Sequence, residues 1–73
     1  MPERFYFDVE NGRDTIRDEE GVEAGSLDEA LVEARSVIAE MADEVSAADP
    51  GRSWTLVVRD ASGLALCRLP IRR

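Results

Sequence analysis

Residues 26–48 constrain this chain most, because they are the one stretch long and periodic enough to dictate what must pack beside it. Ser26 followed by Glu29 forms a capping box: the hydroxyl accepts from the Glu29 amide, and the carboxylate is expected to reach back to the Ser26 amide. Beyond that start, Leu27, Ala30, Leu31, Ala34, Val37, Ile38, Met41, Ala42 and Val45 recur at spacings of three and four. At 3.6 residues per turn they share one arc of a helix, and that arc must be covered. Pro50 and Gly51 after Asp49 are expected to end the element, since proline disfavours helical geometry in its predecessor and glycine permits the reversal.

The remaining chain offers strands as the cover. Residues 4–9 alternate, with Phe5, Phe7 and Val9 on one face and Arg4, Tyr6 and Asp8 on the other, the period-two pattern of a half-buried strand. Asn11-Gly12 predicts a tight primed turn, followed by a weak return strand over residues 13–17 at a sheet edge. After the helix, Trp54, Leu56 and Val58 alternate with Thr55, Val57 and Arg59, and Asp60-Ala61-Ser62-Gly63 closes a second hairpin with Gly63 in the left-handed position. A last strand over residues 64–69 is apolar on both faces, which a strand with water on one side should not be.

Two hairpins flanking one helix predict an α+β fold, β-β-α-β-β, as a single domain over residues 1–73. Its four-stranded antiparallel sheet has order 2-1-3-4, with the helix packed on one face. Phe5, Phe7, Val9, Trp54, Leu56, Val58 and Leu66 are expected to meet Leu31, Ala34, Val37, Ile38, Met41 and Val45. A chain of 73 residues buries only about 60% of the surface its unfolded form exposes, so its stability margin is small and self-association would add to it.

Charge is unevenly laid out. The sequence has 9 Arg against 16 Asp plus Glu, net −7, with no lysine and no histidine. Residues 1–49 hold 4 Arg and 15 acids, net −11, whereas residues 50–73 hold 5 Arg and one acid, net +4. The two parts should attract, so Arg52, Arg59, Arg68, Arg72 and Arg73 are expected near acids of the first two-thirds. Opposite the apolar arc of the helix, Glu29, Glu33, Glu40, Asp43 and Glu44 form an acidic surface, either a solvated face or a docking stripe. Asp18-Glu19-Glu20-Gly21 lacks the alternate ligand spacing and terminal bidentate acid of a calcium loop, and reads as a wet acidic connector with Gly21 turning the chain.

These residues speak against catalysis. A nucleophile–base pair, a glycine-rich phosphate loop and a metal-ligand pattern are all lacking, so no catalytic, cofactor-binding or metal residue is assigned. Cys67 reads as a small buried hydrophobe with no disulfide partner, which fits a cytoplasmic setting. No apolar run approaches the roughly 20 residues of a membrane span, nor does the start look like a signal peptide.

Arg4-Phe5-Tyr6-Phe7-Asp8-Val9, Asn11-Gly12 and Ile16-Arg17-Asp18-Glu19-Glu20-Gly21-Val22-Glu23 ahead of an Ala/Glu-rich helix resemble a bacterial family of short domains of unknown function common in alphaproteobacteria. The resemblance implies a bacterial cytoplasmic domain and carries no site residue with it.

The expected function is a non-catalytic protein-interaction or regulatory module, homodimeric or with another protein partner. Tyr6, Val57, Ala65, Cys67 and Leu69 are expected to share an apolar face that one helix leaves uncovered, and the dimer is expected to form through that face or the strand edge beside it. Val57→Glu and Leu69→Glu should then split the dimer and leave the monomer folded. The first alternative is a nucleic-acid-binding module using the arginine-rich C-terminal third, which the net charge opposes. A small carboxylate-based enzyme is the second.

Overall fold

In the computed structural model, residues 2–48 and 53–71 are described, with the side chains of residues 45–48 left out of the description. Alternating large apolar side chains make β1, Glu3–Glu10, the spine of the sheet: Phe5, Phe7 and Val9 are buried under the helix. β4, Thr55–Arg59, runs antiparallel beside it with Phe7 opposite Val58 and Val9 opposite Leu56. β5, Ala65–Pro70, is antiparallel to β4 and forms one edge.

The other edge departs from the expected four strands. β2, Thr15–Ile16, pairs with the end of β1 (Val9 opposite Ile16), and β3, Val22–Ala24, pairs with its start (Phe5 opposite Val22). The antiparallel sheet therefore has five strands, on a path β2-β1-β4-β5 with β3 sharing the outer edge of β1. Three β1 residues, Tyr6, Phe7 and Asp8, face five residues, 17–21, so two surplus residues break the edge where a plain connector was expected.

The helix α1, Leu27–Ala48, lies over β3 and β4. Among its described side chains Ala30, Ala34, Ile38 and Ala42 are buried, and the small alanines allow a close approach to Phe5, Phe7, Val9, Ala24, Leu56, Val58 and Ile71. Leu31, Val37, Met41 and Trp54 pack at the margin of this core. The side chain of Val45, the stop at Asp49, Pro50 and Gly51, and Arg52, Arg72 and Arg73 lie outside the described residues. At the N-terminus the Ser26 Oγ accepts from the Glu29 amide at 3.3 Å, but the Glu29 carboxylate accepts from Gly25 at 2.7 Å instead of from Ser26.

Both turns are side-chain-built. The first is a four-residue loop, not the two-residue primed turn expected, because Asn11 Oδ1 accepts from the Arg13 and Asp14 amides and keeps Asn11 itself out of the left-handed region. In the second, Asp60 Oδ1 accepts from Ser62 and Leu64, and Gly63 takes φ +94°. A bulge follows: Val58 faces Cys67 and Arg59 faces Ala65, leaving Leu66 surplus. One surplus residue exchanges the two faces of a strand. Cys67 and Leu69 therefore turn to the helix side and pack on the core, while Leu66, expected inside, is 37% exposed and Leu64 61%.

Candidate functional site

The broken edge is held by one carboxylate. Phe7 is the β1 residue whose N–H points outward where no strand faces it, and Asp18 Oδ2 accepts it at 3.1 Å. The other oxygen of Asp18 accepts from the Glu20 and Gly21 amides, and the Asp18 N–H donates to Asp8 Oδ1 at 3.0 Å. A side chain thus supplies the acceptor that a regular ladder would have supplied. Gly21, at φ +74°, has room for no side chain: a Cβ would sit 2.7 Å from the Phe5 carbonyl oxygen. Arg4 closes the outside of this segment, donating to the Glu20 carbonyl and the Glu23 carboxylate. Glu19 and Glu20 are exposed, but Asp18 is not the wet carboxylate of a simple connector.

On the sheet face away from the helix, Arg59 donates from Nε and Nη2 to the two oxygens of Asp8, at 2.5 and 3.0 Å, and its guanidinium lies 5.2 Å from the centre of the Tyr6 ring. The Arg59 hydrogen bonds hold the Asp8 carboxyl below its usual range, against burial, which pushes the other way. Arg68 reaches across β4 to Glu10. Between Asp8 and Arg68 in register lies Val57, only 5% exposed although no helix covers it. Two ion pairs spanning the strands roof it.

Both oxygens of Asp18 accept from backbone amides, and those of Asp8 accept from the Arg59 guanidinium and the Asp18 amide, a structural use of the two carboxylates. Among the described residues, no three acid or cysteine side chains converge as metal ligands would. No described helix is long and apolar enough to cross a membrane.

The two sheet edges differ. Along β5 the Ile71 N–H donates to the Trp54 carbonyl at 2.9 Å. Backbone groups alternate sides along a strand, so Leu69 and Cys67 also point to β4, while Arg68 and Pro70 point outward. Among the described residues, nothing pairs with this outward side.

A family model described as Domain of unknown function (DUF6894) matches residues 4–72. The chain belongs to the DUF6894 family. That span contains the broken edge, α1 and β5 together. No curated protein and no solved structure matches the chain.

In this DUF6894 domain the five residues expected to form one apolar face are divided. Cys67 and Leu69 are half-buried on the helix side, against the core; Val57 lies roofed on the opposite side, with Tyr6 beside Arg59 and Ala65 exposed near the turn. The bulge at Leu66, between the Val58 and Arg59 pairings, causes the split. Glu29, Glu33, Glu40, Asp43 and Glu44 are all exposed on α1, where Glu29 serves the cap and Asp43 has a partner of its own. Of the arginines expected near acids, Arg59 and Arg68 are so placed, on Asp8 and Glu10. Reading the sequence missed Asp18 as the edge cap. Its signal was the Asp-x-x-Gly spacing, which an Asx-type turn uses to bond amides two and three residues on.

Proposed function

We propose that this DUF6894 domain is a small non-catalytic interaction module that associates with a second copy of itself through the β5 side of its sheet. The observation that carries this reading is the unpaired outer edge of β5, flanked by the exposed Leu64 and Leu66, in a domain whose other edge is interrupted and capped. The open sheet face is a poorer surface, since Asp8, Arg59, Glu10 and Arg68 already satisfy one another there. The same pairing occupies the two described arginines that a nucleic-acid interface in the C-terminal third would use. Likeness to short bacterial domains and the lone cysteine support the bacterial cytoplasm as its setting. Sedimentation velocity at micromolar concentration tests the reading: a dimeric mass is expected, and a monomeric mass up to about 100 μM overturns it.

A further inference from the structure

Resting on that self-association, we infer that the contact is made strand to strand: β5 adds antiparallel to β5 of a second copy across a two-fold axis, with the Arg68 N–H and C=O as its central hydrogen-bonding groups. The alternation set by the Ile71–Trp54 bond turns Arg68 outward. The same alternation, carried through the β4 and β1 pairings, sends the Phe7 N–H outward at the opposite side of the sheet, where Asp18 meets it. Pro70 has no N–H, so it contributes only its carbonyl to the edge.

Unpaired edges invite further strands, and folded proteins block them with bulges, short strands, proline or charge. The outer edge of β1 is blocked in two of these ways, by the short β2 and β3 and by the surplus residues that Asp18 and Gly21 hold in place. β5 is guarded more lightly: the Leu66 bulge and Pro70 lie towards its two ends, and its central Arg68, although 63% exposed, is drawn back over β4 to Glu10. Each copy thus brings its own acid to its Arg68, so two β5 edges meet about the two-fold without an unpaired charge between them.

An axis perpendicular to the sheet keeps both helices on one face. α1 lies over β3 and β4, so at about 4.8 Å per strand the two helices would stand roughly 24 Å apart. They do not collide, and their acidic faces are separated by more than the Debye length of about 10 Å at 0.1 M salt.

The test compares Arg68→Pro with Arg68→Ala in the full chain by sedimentation equilibrium. Both variants lose the Glu10 ion pair, but only proline removes the outward N–H, and it does so without touching the β4 ladder. Arg68→Pro should weaken dimerisation at least about tenfold beyond Arg68→Ala, since two symmetry-related hydrogen bonds are lost. Amide hydrogen exchange on the unaltered chain gives an independent reading: protection of the Arg68 amide should rise with concentration alongside dimer mass. A dimer in which the two variants dissociate alike, or in which the Arg68 amide exchanges at one rate at all concentrations, overturns strand pairing while self-association stands. A chain that remains monomeric overturns the self-association reading itself.

Discussion

Asp8 is 7% exposed, yet it is charged, because Arg59 and the Asp18 amide replace the water it has lost. Asp8→Asn keeps the shape and removes the charge-assisted bonds, so it should cost about 2 kcal/mol at pH 7. The pKa of Asp8 is depressed in the folded state, so its contribution is present above the unfolded value of about 3.9 and is lost as pH falls through the lower folded value. Denaturant unfolding at pH 7 and pH 3 should therefore show the gap between Asp8→Asn and the unaltered chain narrowing in acid. Gly21→Ala combines a left-handed backbone with a contact on the Phe5 carbonyl, and should cost about 2 kcal/mol or more. Gly63→Ala carries the backbone penalty alone, about 1 kcal/mol, because open space surrounds that position. Equal losses of unfolding midpoint for the two glycines would refute the assigned role of the Phe5 carbonyl.

The helix and the last strand make predictions at the scale of elements. Ser26 accepts the Glu29 amide, so Ser26→Ala should cost about 1 kcal/mol in a thermal melt, a cost borne by the N-cap alone. For β5 the bulge reverses an expectation. A glutamate at Leu69 would enter the helix side of the sheet, and one at Val57 would displace the roof of ion pairs. Both substitutions should unfold or loosen the monomer, by about 2 kcal/mol or more, because a carboxylate would be buried without a partner. Their failure to alter the unfolding midpoint, with only dimer mass reduced, would return these two residues to an interface.

Across the whole molecule, the −11 and +4 parts of the chain meet through Arg59–Asp8 and Arg68–Glu10. The Arg68 pair is largely exposed and worth about 0–1 kcal/mol, whereas the Arg59 pair is shielded and resists screening. Raising salt from about 0.02 to 0.2 M should lower the unfolding midpoint slightly, and Arg68→Ala should remove part of that dependence. A midpoint indifferent to salt in both proteins would mean that the charge layout does not contribute to stability.

The local patterns were decided by the sequence alone. The helix over Leu27–Ala48, the alternation that buries Phe5, Phe7 and Val9, and the second hairpin with Gly63 at positive φ all follow from spacings within a few residues, where propensity and periodicity act directly. What needed the tertiary structure was register. Whether Cys67 or Leu66 meets the helix depends on a single surplus residue in β5, and whether residues 17–21 form a plain connector or a broken edge depends on where the Phe7 N–H finds an acceptor. Both are settled by pairings and hydrogen bonds between neighbouring strands, beyond the two- to four-residue spacings of the local patterns; only the turn at Asp18 has a local signal, its Asp-x-x-Gly spacing. The face that β5 presents, and the edge it leaves open, follow from those pairings.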